Sequence, residues 1–78
     1  MHEKDLEKLK ATLAANLIEL RKSKGLAQER LALEAGVDRT LVSKIERLIA
    51  NPSLEILLKL ANTLDVTVAK LLTEKRRG

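Results

Sequence analysis

Residues 28–47 read QERLALEAGVDRTLVSKIER, and the spacing of the apolar residues in this segment is the clearest indication of the fold. Four small or apolar residues lie in it at successive offsets of four, six and three: Ala32, Gly36, Val42 and Ile45. This spacing is typical of two short helices that cross at about 90–120° around a tight turn. The small side chain of Ala32 leaves room for the crossing helix, and Gly36 can adopt the positive φ that the turn requires. The sequence therefore predicts two consecutive short helices joined at Gly36.

Apolar residues at helical spacing flank this unit on both sides. Leucines recur every three or four residues along a first helix, which Gly25 ends. Asp38, Ser53 and Thr67 precede later apolar runs and are suited to cap helices. The predicted helices cover about residues 4–24, 28–35, 38–47, 53–64 and 67–72. No strand pattern occurs, so we expect an all-α fold of five helices in one compact domain over residues 1–78, with an ordered core at about 5–73 and short flexible tails.

The predicted fourth and fifth helices carry more apolar residues than one buried side needs. We expect the inward side of the fourth helix to contain Leu54, Leu57, Leu58, Ala61 and Leu64. The apolar residues that are then in surplus are Ile56, Leu60, Val68 and Leu72. Ile49 is either packed against the fourth helix or presented to a partner. Extra apolar surface on a small domain suggests an interface, although these residues can also simply thicken a core that lacks aromatic side chains.

The composition excludes several classes of protein. The chain has no cysteine, which excludes disulfides and thiolate zinc sites, and it has no aromatic residue. Its one histidine is His2, so the serines have no base beside them and we predict no catalytic residue. No apolar run reaches the ~18 residues of a membrane span, and the N-terminus does not have the pattern of a secretory signal. We therefore expect a cytoplasmic binding protein without a metal, a cofactor or a small-molecule ligand.

The positive charge of the chain is concentrated in its middle. Residues 21–47 carry seven Lys or Arg against four Asp or Glu, whereas residues 1–20 carry three against four. A basic segment is typical of a surface that binds a polyanion, although a solvated surface of mixed charge gives the same count. Together with the lack of catalytic groups, the charge distribution favours a binding protein over an enzyme.

The sequence resembles the lambda-repressor-like, Xre-type helix-turn-helix family over about residues 16–73. The segments that carry the resemblance are 20–26, 28–32, 43–47, 51–57 and 64–68. The tripeptide Asp38-Arg39-Thr40 is in addition similar to controller proteins of restriction–modification systems. The resemblance implies a five-helix DNA-binding domain and a transcriptional regulator that is associated with the nucleoid through double-stranded DNA.

The resemblance also implies that the third helix, at about residues 38–47, enters the major groove of DNA. Arg39 or Lys44 then donates to the O6 and N7 atoms of guanine. Thr40 contacts a thymine methyl group or a phosphate, and Leu41 meets a thymine methyl group or packs inside the domain. The residues placed for contacts to the DNA backbone are Gln28, Ser43 and Arg47.

Further features of the family apply to the scaffold. The resemblance implies that Glu46 pairs with Arg21 and ties the third helix to the first, so that Arg21 is structural. Ala27 stands where Ser or Thr often caps the second helix, a loss of about 0.5–2 kcal/mol. Leu48 stands where Gly is common in the family. We expect Leu48 to avoid a left-handed conformation, so that the third helix runs one residue longer.

The resembled family often forms a two-fold contact through its fifth helix and the neighbouring elements. We therefore expect a homodimer with two recognition helices about 34 Å apart on a pseudo-palindromic operator. Its interface is predicted to include Ile49, Ile56, Leu60, Val68 and Leu72. The alternative is a protein-interaction module, such as an antitoxin, that uses the surface of the fourth and fifth helices and can also bind DNA. A toxin or RNA polymerase is then the expected protein partner.

Overall fold

The helices of the structure follow the leucine periodicity of the sequence. The structure, a computed structural model, describes residues 3–75. Its helices are α1 (Glu3–Ser23), α2 (Gln28–Ala35), α3 (Leu41–Glu46), α4 (Leu54–Thr63) and α5 (Val68–Leu72). The predicted all-α fold of five helices, with the helix–turn–helix formed by the second and third, is confirmed, and residues 3–75 contain no strand. Residues 1–2 and 76–78, which belong to the predicted tails, lie outside the described residues.

The core is a cluster of aliphatic side chains to which all five helices contribute. Its members are Leu13, Leu17, Leu31, Ala32, Val42, Ile45, Leu57, Leu60, Ala61, Leu64 and Leu71. α1 packs against α3 and α5, and α2 packs against α3 and α4. In this arrangement α3 is held from two sides. None of the helices within residues 3–75 is both long and apolar enough to cross a membrane.

The buried side of α4 differs from the prediction. Leu60 is fully buried, with 0% of its surface exposed, whereas Leu54 is 77% exposed and Leu58 is 52% exposed. The predicted inward positions of Leu54 and Leu58, and the predicted surface position of Leu60, are therefore wrong. Two overlapping apolar stripes run along α4, and both include Leu57 and Ala61. Because α2 and α5 both pack against α4, the stripe that contains Leu60 is the buried one.

Four helices are followed, within two residues of their last residue, by a residue with a left-handed backbone conformation. These residues are Gly25 (φ 69°), Gly36 (φ 72°), Leu48 (φ 64°) and Asp65 (φ 58°). After α3, the N–H of Leu48 donates to the carbonyl of Ile45 and the N–H of Ile49 donates to the carbonyl of Lys44, both at 3.0 Å. These two bonds form a Schellman motif, which satisfies the last carbonyls of the helix. The prediction that Leu48 avoids this conformation is wrong, because the motif ends α3 at Glu46 and turns the chain toward α4.

α3 begins at Leu41 rather than at residue 38, so its predicted start is wrong. Asp38, Arg39 and Thr40 instead form a turn in which the N–H of Leu41 donates to the carbonyl of Asp38 at 3.0 Å. The carboxylate of Asp38 accepts the N–H of Thr40 at 2.8 Å, so Asp38 caps this turn ahead of the helix. Arg39 and Thr40 therefore lie in the turn before α3.

Candidate nucleic-acid interface

α3 and the turn before it have one buried side and one exposed side. Val42 and Ile45 lie in the core, and Leu41 is half-buried and packs against that core. The outward side of the segment consists of Arg39, Thr40, Lys44 and Arg47, all of which are exposed. The segment thus presents three cations to solvent while its apolar residues anchor it. Such a group of exposed cations on one side of a segment is suited to contact with a polyanion.

The angle between α2 and α3 depends on the turn at Gly36. The N–H of Gly36 donates to the carbonyl of Leu33 at 3.2 Å, and the N–H of Val37 donates to the carbonyl of Ala32 at 3.0 Å. A Cβ atom at Gly36 would meet no atom within 4 Å, so the backbone conformation, and not a lack of space, requires the glycine. Ala32 is fully buried, which agrees with the need for a small residue beneath the crossing helix.

A buried ion pair joins α1 to α3. Arg21 Nε donates to Glu46 Oε2 at 2.7 Å, and Arg21 Nη2 donates to Glu46 Oε1 at 3.0 Å. The two side chains are only 10% and 6% exposed. Arg21 Nη1 also donates to the carbonyl of Leu26 at 2.8 Å, in the connection between α1 and α2. The structure therefore brings together the pair that the resemblance implies, and it gives Arg21 a structural position.

Glu46 also holds Gln28, the first residue of α2. Gln28 Nε2 donates to Glu46 Oε1 at 2.8 Å, and the side chain is half-buried. Among the hydrogen bonds of residues 3–75, the second N–H and the carbonyl oxygen of the Gln28 amide take part in none. Part of the Gln28 amide thus serves the scaffold, which the sequence analysis missed. Its contact with a phosphate stays a prediction.

Ser43 and Arg47 are linked along the last turn of α3. Arg47 Nε donates to Ser43 Oγ at 3.2 Å. Ser43 is half-buried, whereas Arg47 is exposed. The bond aligns the stem of Arg47 with α3, so the two residues predicted to contact the DNA backbone form one unit.

An acidic residue lies among the exposed cations. Asp38 is exposed, and its carboxylate accepts both the hydroxyl of Thr40 at 2.5 Å and the N–H of Thr40 at 2.8 Å. The pKa of Asp38 lies below its ordinary value. The largest cause is the hydrogen bond from the hydroxyl of Thr40, followed by the bond from the Thr40 N–H and, to a smaller degree, the charges of Lys44 and Arg39. From the sequence, Asp38 is predicted to act as a helix cap. The spacing Asp-x-Thr is the signal that could have indicated its bonds to Thr40.

The predicted dimer residues do not form one exposed surface. Leu60 lies in the core, as described above, and three others are half-buried and pack against that core: Ile56, Val68 and Leu72. Ile49 is 63% exposed and is presented to solvent. Within residues 3–75, the exposed large apolar residues are Leu9, Leu33, Ile49, Leu54 and Leu58.

The exposed groups around α3 are suited to binding. Thr40 donates its hydroxyl hydrogen to the carboxylate of Asp38, a weak base whose pKa is held below its ordinary value, and the hydroxyl of Ser43 accepts from Arg47. Across residues 3–75, no three side chains of His, Cys, Asp or Glu converge as the ligands of a metal ion would. The side chains of this surface offer hydrogen bonding and positive charge.

The family model HTH_3, described as helix-turn-helix, matches residues 17–71. The matched region contains α2, the turn at Gly36, α3 and both members of the Arg21–Glu46 pair. The chain therefore belongs to this helix-turn-helix family. The N-terminal part of α1, from Glu3 to Asn16, precedes the matched region.

The curated proteins that are similar to the chain include a transcription factor and a control protein. The "Neisseria hypothetical transcription factor" of Neisseria meningitidis is 43% identical over 68 residues, which are 87% of this chain and 64% of that protein. The "Control protein C.SmaI" of Serratia marcescens is 39% identical over 67 residues, which are 86% of this chain and 80% of that protein. The chain thus spans less than two thirds of the length of the Neisseria relative.

The solved structures that share the fold and much of the sequence include the following two. The hypothetical transcription factor NHTF from Neisseria superposes with a TM-score of 0.83 at 42% identity, over 87% of this chain and 79% of that chain. The restriction-modification controller protein C.AhdI from Aeromonas hydrophila superposes with a TM-score of 0.75 at 44% identity, over 80% of this chain and 94% of that chain. The resemblance to controller proteins is therefore found in both sequence and structure comparisons.

Proposed function

We propose that this chain is a transcriptional regulator that binds double-stranded DNA in a sequence-specific manner. The observation that carries the proposal is the two-sided character of the segment from Arg39 to Arg47, whose apolar side is buried while its cations are exposed. The names of the relatives, which include a transcription factor and control proteins of restriction–modification systems, support the same function. In the proposed complex α3 lies in the major groove.

The base-reading contacts are assigned to the turn before α3 and to its first turns. Arg39 and Lys44 are exposed, and within residues 3–75 their side chains take part in no hydrogen bond or salt bridge. Both are therefore free to donate to guanine O6 and N7, and a bidentate contact contributes about 1–3 kcal/mol of discrimination. Thr40 lies between them and contacts a base edge.

The phosphate contacts are assigned to both ends of the helix pair. Arg47, oriented by Ser43, contacts the DNA backbone at the end of α3. Gln28 offers the second N–H of its amide at the start of α2. Ala27 supplies no side-chain cap to α2, so the first amide N–H groups of this helix are available to a phosphate oxygen. These contacts set the register without reading the sequence.

The experiment that tests the proposal is footprinting, first on the DNA upstream of the gene and then on duplexes selected from a random pool. We expect protection by the wild-type protein and loss of protection for Arg39→Ala and Lys44→Ala. Lys8→Ala is the matched control, because Lys8 is an exposed cation on α1, far from α3 in sequence. Protection that is unchanged in both α3-side variants contradicts the proposal, as does a complete lack of selected sequences.

We further propose that the protein acts as a homodimer on a pseudo-palindromic operator. The surface proposed for the contact is the α4 patch, which consists of Leu54 and Leu58 with the adjoining groove. This groove has a volume of about 160 Å³, and Leu6, Leu9 and Pro52 line it together with Leu54. Because exposed apolar surface of this kind is unfavourable in water, a second copy that covers it stabilises both chains. The two-fold arrangement places two α3 helices about 34 Å apart.

Sedimentation equilibrium tests the dimer. We expect the wild-type protein to be a dimer and the Leu58→Glu variant to be a monomer, because a two-fold contact would desolvate one introduced carboxylate from each chain. Leu33→Glu is the matched control, since Leu33 is exposed on α2 and outside the α4 patch. A wild-type protein that stays monomeric at high concentration contradicts the dimer and favours the α4 patch as a surface for a different protein partner.

A further inference from the structure

We propose that Asp38 is a positioning residue that fixes the hydrogen-bond polarity of Thr40, so that Thr40 reads an exocyclic amino group in the major groove. The groups of this kind are N4 of cytosine and N6 of adenine. The proposal rests on the proposed function, because it needs the turn before α3 to face a base pair. It narrows the role of Thr40, for which the sequence leaves a thymine methyl group and a phosphate open.

The geometry of the Asp38–Thr40 pair determines which atom donates. A single oxygen, Asp38 Oδ1, accepts the N–H of Thr40 at 2.8 Å and faces Thr40 Oγ1 at 2.5 Å. An ionised carboxylate has no hydrogen to give, so the hydroxyl must be the donor in the second contact. An Asp carboxyl at its ordinary pKa of about 3.9 is already ionised at neutral pH, and the pKa of Asp38 lies below that value.

This donor assignment limits what Thr40 can bind. A hydroxyl has one hydrogen and two acceptor sites, and its hydrogen is used by Asp38. Thr40 therefore cannot donate to a phosphate oxygen, nor to O6 or N7 of guanine, because these atoms only accept. It can accept from an amino group, and among the base edges in the major groove only cytosine N4 and adenine N6 carry one.

The surrounding charges make such a contact compatible with a DNA surface. The carboxylate of Asp38 by itself would be repelled by phosphates. Arg39 and Lys44 lie close enough for their charges to act on Asp38, so the acceptor pair lies within a basic surface. The cations attract the phosphates of the DNA backbone and the acceptor atoms of guanine, whereas the Asp38–Thr40 pair attracts a base edge that carries a donating amino group. Donors and acceptors side by side are what discrimination between base pairs requires.

Binding measurements on four duplexes test the proposal. The duplexes derive from a sequence selected by the wild-type protein and differ at the one base pair whose preference changes in Thr40→Ala, which lacks both the hydroxyl and the methyl group. We expect the wild-type protein to favour the amine-bearing base by about three- to tenfold, the worth of one hydrogen bond. Thr40→Ser keeps the hydroxyl and should keep the preference. Thr40→Val lacks the hydroxyl and should lose the preference for the amine-bearing base.

Two variants of Asp38 separate positioning from a merely structural cap. In Asp38→Ala the hydroxyl of Thr40 is free to rotate and can donate or accept, so we expect the preference to fall below about twofold. In Asp38→Asn the amide oxygen still accepts from Thr40, and the preference should be retained. Circular dichroism monitors helicity, and if Asp38→Ala does not fold, the two Thr40 variants decide.

The results that would overturn the proposal are distinct from a failure of DNA binding. A uniform loss of affinity for all four duplexes in Asp38→Ala makes Asp38 a cap and nothing more. A preference retained by Thr40→Val and lost by Thr40→Ser makes the contact one with a thymine methyl group. A wild-type protein that selects no sequence from the pool overturns the proposed function itself.

Discussion

Arg21 and Glu46, which are 25 residues apart in sequence, form a two-bond ion pair that joins α1 to α3. The same carboxylate accepts from Gln28 at the start of α2. One acidic side chain thus connects the three helices on which the candidate interface is built. Because both charged side chains are buried, removal of either partner leaves the other uncompensated.

The first prediction concerns this pair. Glu46→Ala should lower the free energy of unfolding by about 3–5 kcal/mol, because it leaves the guanidinium of Arg21 buried without a counter-charge. Urea unfolding followed by circular dichroism measures the effect. Lys24→Ala is the control, since Lys24 forms an exposed pair with Asp65 and should cost less than about 1 kcal/mol. Equal effects of the two substitutions would contradict the structural role of Glu46.

The second prediction concerns the left-handed residue after α3. Leu48→Gly should stabilise the protein by up to about 1 kcal/mol, because glycine removes the steric cost of a positive φ while the loss of a half-buried side chain offsets part of the gain. Gly36→Ala is the opposite experiment at a matched φ and should destabilise by about 1–2 kcal/mol. Thermal unfolding measures both. Destabilisation by Leu48→Gly would mean that the packing of Leu48 outweighs its backbone strain.

The third prediction separates the two apolar stripes of α4. Leu60→Ala should cost about 2–5 kcal/mol of unfolding free energy, since Leu60 is fully buried in the core. Leu58→Ala, measured at a protein concentration at which the chain is monomeric, should change it by no more than about 0.5 kcal/mol. Denaturant unfolding of both variants is the measurement. A larger effect at Leu58 would restore the orientation of α4 that the sequence alone suggests.

The fourth prediction concerns the salt dependence of DNA binding and the difference between phosphate contacts and base contacts. The logarithm of the binding constant should fall with the logarithm of the salt concentration, with a slope of about 0.9 for each phosphate neutralised. Arg47→Ala should reduce that slope by about one phosphate and weaken binding alike on all sequences. Arg39→Ala should instead relax specificity at one base pair. Fluorescence anisotropy with labelled duplexes at several salt concentrations distinguishes the two, and the same behaviour of both variants would contradict the assignment.

The fifth prediction concerns pH. The pKa of Asp38 is lowered in the folded state by its bonds to Thr40, so the ionised carboxylate stabilises the fold at all pH values above its ordinary pKa of about 3.9. This contribution should be lost as the pH falls through the folded-state pKa below that value. The stability difference between the wild-type protein and Asp38→Ala should therefore shrink on acidification from pH 5 to pH 2. Unfolding curves at a series of pH values test this, and a difference that stays constant would place the stabilisation elsewhere.

The fold could be predicted wherever local chemistry determines the backbone. Ser53 and Thr67 accept hydrogen bonds from the N–H groups of Ile56 and Lys70, as their positions before apolar runs indicate. Gly36 adopts the positive φ that its spacing predicts. In each case the atoms that determine the backbone conformation lie within a few residues of one another, so the local sequence is sufficient to predict that conformation.

The predictions failed where distant contacts decide between local alternatives. The stripe with Leu54 and Leu58 and the stripe with Leu60 both have helical spacing, and only the packing of α2 and α5 selects one. Leu48 takes a conformation that its own side chain disfavours, because the bonds at the end of α3 and the path to α4 require it. The contact of Gln28 with Glu46 was missed for the same reason, since it depends on how α2 and α3 meet.

The hydrogen bonds of Glu46 distinguish the residues that hold the helices together from the residues that are proposed to read the DNA sequence. Arg21, Glu46 and Gln28 hold the helices in place, while the side chains of Arg39 and Lys44 bond to nothing else in the part of the chain that the structure describes. Evolution can therefore exchange these two side chains without rebuilding the fold. Duplicated copies of one such gene could acquire separate binding sites through a few codon changes, each inheriting an intact architecture.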